Sequence, residues 1–239
     1  MKAFLNFDPR RDLPALLITA RRELGATVAL LVLALGVLAF LSIADEVAEG
    51  ETRAVDLAIL DALRRPGEGR ELIGPDWLHV AAIDVTSLGS LAVLGLLILL
   101  AFGVLACLRR WGEGVLLLVG AGGGLCISQG LKVLFARERP DMAYRAVEAV
   151  NASFPSGHAM MSAVVFLTLG ALASRFAERK RLKALALGAA VFLSLLVGLS
   201  RIYLGVHWAS DVLAGWCVGA AWAMACWLVA FAWTRLRRR

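Results

Sequence analysis

Between Ser200 and Asp211 the chain reads S-R-I-Y-L-G-V-H-W-A-S-D, with a fixed cation at Arg201, a histidine at His207 and a carboxylate at Asp211. If His207 opens a helix, Asp211 falls one turn later on the same face. Its carboxylate would then hold one imidazole nitrogen and leave the other free to attack. Two earlier stretches carry complementary groups. Lys132 to Pro140 (K-V-L-F-A-R-E-R-P) gathers cations in a short polar interval between apolar runs, and Pro155-Ser156-Gly157-His158 puts a second histidine at the start of another run. These are the parts of a phosphate site, because a phosphate ester needs its charge neutralised, an in-line nucleophile, and an acid for the leaving oxygen. Lys132, Arg139 and Arg201 can supply the charge, arginine forks being suited to bidentate phosphate contact. Ser156 and the amide of Gly157 can add donors at a helix N-terminus.

Written as patterns, the stretches are K-x6-R-P (Lys132, Arg139, Pro140), P-S-G-H (Pro155 to His158) and S-R-x5-H-x3-D (Ser200, Arg201, His207, Asp211). They match every position of the three-part signature of the type-2 phosphatidic acid phosphatase superfamily, and the resemblance covers about residues 84–234. Three separately spaced motifs in the family's order carry far more weight than one. The resemblance implies a membrane lipid phosphate phosphatase in which His207 attacks phosphorus to form a phosphohistidine, Asp211 orients His207, and His158 protonates the departing oxygen. Water activated by His158 would then release phosphate. It implies no metal and no other cofactor. The superfamily also holds soluble acid phosphatases and vanadium haloperoxidases, but long apolar runs favour a lipid substrate.

Other residues invite blander readings. Arg137 and Glu138 lie inside the first motif but outside its signature positions, with Glu138 a partner for a neighbouring arginine. His79 matches no motif and reads as structural. Alone, Lys132 or Arg201 would be a snorkelling or topological charge. The stretch Asp141 to Phe154, with Tyr144, Arg145 and Glu148, is the candidate for head-group selection, a plain connecting loop being the alternative.

The elements that must position these groups are membrane helices. Of the 239 residues 60% are hydrophobic and the mean hydropathy is +0.76, too apolar for an ordinary soluble domain. The net charge of +6 does not point to nucleic acid, because the Lys and Arg residues cluster in short segments between apolar runs. Cys107, Cys126, Cys217 and Cys226 lie in or beside apolar runs without metal spacing and read as small buried packing residues.

Six spans are expected, at about Ala26 to Ala44, Ser87 to Leu108, Gly114 to Leu131, His158 to Ser174, Ala184 to Ser200 and Asp211 to Thr234. The first is longer than a signal-peptide core and is read as a retained span, despite Ser42-Ile43-Ala44. Gly120-x3-Gly124 permits close helix packing. Residues 45–84 turn acidic, and Val55, Ile59, Leu60 and Leu63 share a face of a short amphipathic helix that either caps the site at the membrane surface or is a structural loop helix. Basic clusters follow spans two, four and six, so with the N-terminus inside they all fall in the cytoplasm.

The expected fold is therefore a single all-α domain, residues 1–239, a polytopic membrane bundle of six transmembrane helices. Its catalytic pocket faces the outer, periplasmic surface of a bacterial inner membrane, with both termini cytoplasmic. The expected partner is a lipid phosphate: undecaprenyl diphosphate, phosphatidylglycerol phosphate, phosphatidic acid or a lipid A phosphate. A lipid phosphotransferase using the same phosphoenzyme, or a lipid carrier without chemistry, are the other readings. The oligomeric state is not legible.

Overall fold

The computed structural model describes residues 9–66, 71–149 and 151–237, with side chains from residue 23 onward. In chain order its helices are α1 (Pro9–Glu49), α2 (Arg53–Ala62), α3 (Asp76–Ser87), α4 (Leu91–Cys107), α5 (Trp111–Phe135), α6 (Gly157–Phe176), α7 (Lys180–Tyr203) and α8 (Ala209–Leu236). A single 3₁₀ turn, Met142–Tyr144, lies between α5 and α6. Helices are what an apolar chain must form in lipid, where every backbone group has to be satisfied within its own segment. Leu30, Leu35, Leu38, Leu99, Val119, Phe192 and Val229 point outward, an apolar exterior suited to hydrocarbon.

The second expected span differs from its prediction. Among the described residues five helices are each long and apolar enough to cross a membrane, and a sixth span is formed by α3 and α4 taken together, bent by 50° between Ser87 and Leu91. The break occurs at Leu88-Gly89-Ser90, where Ser90 caps α4 by accepting from the Val93 amide at 3.2 Å. The bend brings the chain against the catalytic end: a Cβ at Gly89 would lie 2.5 Å from Val197 Cγ1 and 3.2 Å from His158 Cδ2. The first helix is also longer than its apolar core, running unbroken past Ala44 to Glu49.

The acidic segment is not a helix lying free on a surface. The buried face of α2 is centred on Asp56 and Leu60, with Leu57, Ile59 and Leu63 packed around Leu60 against Trp208, Ala209 and Val212 at the start of α8. Val55, expected on that face, is 64% exposed. Periodicity counted only apolar residues, whereas the helix is rotated so that a carboxylate with buried partners faces inward.

Small residues let the long helices close on one another. Gly124 meets Val164 as expected, and Trp222 donates to the Gly120 carbonyl at 2.8 Å. A second seam went unread: Gly215-x3-Gly219 of α8 lies against α6, and Gly36 of α1 meets α8 at Cys217 and Ala221. A Cβ at Gly219 would stand 2.6 Å from the Met160 carbonyl oxygen and 3.0 Å from Ala163 Cβ. Overpacking costs about 1–3 kcal/mol, more than the about 0.5–1 kcal/mol that alanine gains over glycine in a helix. Gly219→Ala is therefore expected to lower the thermal midpoint in detergent. Gly95→Ala, with open space around it, is expected to leave the midpoint unchanged or raised. Two cysteines depart from the buried reading: Cys107 and Cys126 face outward, and all four are free thiols.

The direction of the helices sets what meets what. The C-termini of α5 and α7 and the N-termini of α6 and α8 share one end of the bundle. At the other end Glu113 pairs with Arg110 at 2.7 Å and lies 3.8 Å from Arg175, while Arg235 holds Glu23 at 2.9 Å.

Candidate active site

Helix α7 ends at Tyr203, and a turn through Gly205, whose φ of +69° suits glycine, carries the chain to His207 and α8. A Cβ at Gly205 would overlap the Tyr144 carbonyl and the Arg64 guanidinium. His207 thus precedes α8 rather than opening it, and Trp208 is the N-cap. Asp211, three residues further, turns back to accept the Trp208 amide at 2.9 Å. The same oxygen, Oδ2, lies 3.2 Å from His207 Nδ1. The spacing of four works through a helix cap rather than a helical face.

The other ring nitrogen identifies the tautomer. Arg139 Nη1 lies 3.1 Å from His207 Nε2. A guanidinium can only donate, so Nε2 accepts with its lone pair and the proton sits on Nδ1, directed at Asp211. His207 is 1% exposed. Burial pushes its pKa down to about 3, against the opposing pull of Asp211. An unfolded chain would recover the ordinary value near 6.5. Between there and about pH 3 the unfolded state binds a proton that the folded state does not, so stability is lost as pH falls through that window. The thermal midpoint in detergent is expected to drop from about pH 7 to about pH 4, and His207→Gln to remove part of that drop, the half-buried His158 remaining.

The cations converge on the same end. Arg139 donates to the Val206 carbonyl at 2.7 Å and the Asn151 carbonyl at 2.6 Å. Lys132, buried at the last turn of α5, donates to the Ala152 carbonyl. Arg201, buried at the last turn of α7, donates to Thr86 Oγ1 at 3.0 Å, and its Nε has no partner among the described residues. Lys132, Arg139 and Arg201 all act electrostatically on His158.

At the start of α6, Ser156 is buried as N-cap, its hydroxyl 3.5 Å from the Ala159 amide, while its own amide donates to the Asp211 carbonyl at 2.9 Å. Gly157 leaves room beside Lys132, since a Cβ there would stand 3.6 Å from Lys132 Cε and 3.5 Å from Ser128 Oγ. Ser128 is 1% exposed and its hydroxyl also has no partner among the described residues. Orphaned buried donors at Ser128 and Arg201, with the α6 N-terminus between cations, are what an oxyanion would satisfy.

Several residues of this site escaped the motif reading. Ser153 donates to Asp211 Oδ2 and lies 3.3 Å from His207 Nδ1. Arg137 reaches Asp211 Oδ1 at 2.6 Å and Asp56 Oδ2 at 2.9 Å. Glu138 makes no side-chain ion pair among the described residues; its carbonyl accepts the Trp208 indole at 2.9 Å. Tyr144 is buried and donates to Asp61 at 2.6 Å. Arg145 lines a cleft of about 440 Å³ with Arg64, Arg65, Glu71, Asp76 and His79. All five lie on the connection between α5 and α6, and no spacing rule marks them, because their partners sit on other elements: Asp56 and Asp61 on α2, Trp208 and Asp211 at the start of α8.

Known proteins give the arrangement its family. The model of the PAP2 superfamily matches residues 113–235. Phosphatidylglycerophosphatase B of Bacillus subtilis is 33% identical over 150 residues, covering 62% of this chain and 73% of that protein. Decaprenylphosphoryl-5-phosphoribose phosphatase of Mycobacterium tuberculosis is 35% identical over 130 residues, 53% of this chain and 67% of that one. The crystal structure of a transmembrane PAP2-type phosphatidylglycerolphosphate phosphatase from Bacillus subtilis superposes with a TM-score of 0.71 at 29% identity, covering 81% of this chain and 93% of the other. With its signature groups assembled at one end of an all-helical membrane bundle, this chain belongs to the PAP2 superfamily and is a multi-pass membrane phosphatase acting on phosphate esters of lipids.

Proposed function

We propose that the enzyme hydrolyses a lipid phosphate or diphosphate without a metal, through a phosphohistidine on His207. The observation that carries this is the His207 tautomer: Nδ1–H directed at a buried carboxylate, Nε2 with its lone pair toward Arg139. Phosphate oxygens held by Lys132, Arg139, Arg201 and the Gly157 amide would place phosphorus in front of Nε2. As Nε2 attacks, positive charge grows on the imidazole, and Asp211 stabilises it. His158, in the first turn of α6, serves as the acid: once the bound phosphate offsets the surrounding cations the ring holds a second proton as imidazolium, and it passes that proton to the leaving oxygen. It then takes one from water, which attacks phosphorus, frees phosphate and restores neutral His207. The negative charge on the phosphoryl oxygens is met by guanidinium and ammonium groups already in place, which is where a preorganised site gains most.

The substrate classes are the phosphate of a glycerophospholipid, as in phosphatidylglycerol phosphate or phosphatidic acid, and the diphosphate of undecaprenyl carrier lipid. Arg145 and the cleft beside it are the candidate head-group contacts. The basic end of the bundle, with Arg109, Arg110, Arg175 and Arg179, belongs in the cytoplasm with both termini. The site then opens on the periplasmic face of a bacterial inner membrane.

Phosphate release by the detergent-solubilised enzyme, measured with EDTA on each of these lipids, tests the reading. Release with EDTA present is the expected result and ranks the substrates. Release only after a divalent metal is restored would overturn the metal-free mechanism. Release only when an acceptor lipid is supplied would replace hydrolysis by phosphotransfer.

A further inference from the structure

We infer that Arg137 and Asp56 are positioning residues for the reaction: a buried ion pair that holds the Asp211 carboxylate in the orientation that receives the His207 Nδ1 proton. The two oxygens of Asp211 are used differently. Oδ2 takes His207 Nδ1, the Trp208 amide and the Ser153 hydroxyl. Oδ1 takes Arg137 Nη1 at 2.6 Å. Rotation of the carboxylate, which would exchange its oxygens, is opposed by a charged donor on the side away from His207.

Arg137 is itself fixed. Its Nη2 donates to Asp56 Oδ2 at 2.9 Å and Thr52 Oγ1 at 3.0 Å, its Nη1 also reaches Ser210 Oγ at 2.8 Å, and its guanidinium lies over the Trp208 ring, 5.6 Å from the centroid. Asp56 closes the circuit on α8: it accepts the Ser210 amide at 2.9 Å and the Ser210 hydroxyl at 2.6 Å, next to Asp211. One guanidinium thus spans two carboxylates from different elements, with side-chain exposures of 15% for Arg137, 2% for Asp56 and 0% for Asp211.

A buried ion pair is weak evidence of stabilisation, because desolvation offsets much of the attraction. The geometry assigns this one another use. Asp211 faces a neutral imidazole and needs a compensating charge; Arg137 supplies it, and Asp56, at the positive N-terminus of α8, compensates Arg137. Both terminal nitrogens of Arg137 are occupied by protein acceptors on the far side of Asp211 from Nε2, so Arg137 is not placed to grip phosphate as Arg139 is. Through Asp56, α2 becomes part of the catalytic support rather than a cover.

The proposal rests on His207 as the nucleophile, and His207→Ala measured in parallel separates the two. Arg137→Gln is expected to lower kcat about 100-fold or more, with KM and competitive inhibition by inorganic phosphate within about threefold of wild type. Arg137→Lys, able to meet Asp211 but not both carboxylates, recovers part of the rate. Asp56→Asn keeps the shape and the Ser210 amide contact at one oxygen but turns an NH₂ toward Arg137, and is expected to lose about tenfold in kcat alone. It decides the matter if Arg137→Gln shows no cooperative thermal transition. Wild-type kcat in Arg137→Gln or in a folded Asp56→Asn overturns the proposal, as does a loss confined to KM and phosphate inhibition. An active His207→Ala overturns the nucleophile and this proposal together; an inactive His207→Ala beside full-rate Arg137 and Asp56 variants overturns this proposal alone.

Discussion

His207→Ala is expected to reduce phosphate release by about 10⁴-fold or more, the scale on which enzymes lose turnover when a covalent nucleophile is removed. The loss should fall on kcat. Lys132, Arg139 and Arg201 stay in place in this variant, so inorganic phosphate should still inhibit or bind within a few-fold of wild type. Folding should also survive, because Asp211 keeps the Ser153 hydroxyl, the Trp208 amide and Arg137 when the imidazole goes. Single-turnover phosphate release with a thermal scan in the same detergent makes the comparison. A folded variant with wild-type turnover would show that phosphorus is attacked by another group.

Asp211→Asn is the second large effect, with kcat falling about 10²–10⁴-fold while the protein remains folded. All four groups around this carboxylate are donors: His207 Nδ1, the Trp208 amide, the Ser153 hydroxyl and Arg137. An asparagine has one oxygen to offer and must turn its NH₂ toward a donor. Turned to Arg137, it places two donors face to face. Turned to His207, it favours the tautomer with the proton on Nε2, which removes the attacking lone pair. Either choice costs a hydrogen bond, and the second costs the nucleophile. KM near wild type with a collapsed kcat is the expected signature; loss of both in proportion would mean that the residue supports binding instead.

These two residues could be found without coordinates, and the reason is local. His207 and Asp211 are four apart across a helix cap, and Ser156 and Gly157 open a helix whose apolar run marks its start. Lys132 and Arg201 each end an apolar run. The helices themselves follow from hydrophobic length, since unbroken apolar runs this long lack the alternation of a barrel strand and satisfy their backbone in lipid as helices.

Arg137, Asp56, Ser153 and Thr86 were illegible for the opposite reason. Asp56 meets Ser210 across 154 positions, Thr86 meets Arg201 across 115, and Ser153 meets Asp211 across 58. No periodicity relates residues on different elements. Arg137 adds a further obstacle, because it projects just after Ala136, a non-glycine residue at φ 43° that ends α5. That left-handed turn costs about 1–2 kcal/mol for an ordinary residue, and its surroundings must hold it. The bend between α3 and α4 is likewise decided by contact: the apolar run reads as one helix until Gly89 is pressed against Val197 and His158.

By itself, then, the sequence determined the class of molecule and the set of groups at the reacting phosphorus, because membrane helices and short catalytic motifs are written in residues a few positions apart. The tertiary structure alone decided which nitrogen of His207 carries the proton, which oxygen of Asp211 faces it, and which distant cation and carboxylate hold that carboxylate still. Those are relations between elements, set where the α5–α6 connection and α2 meet the start of α8, and the spacing along the chain carries no record of them.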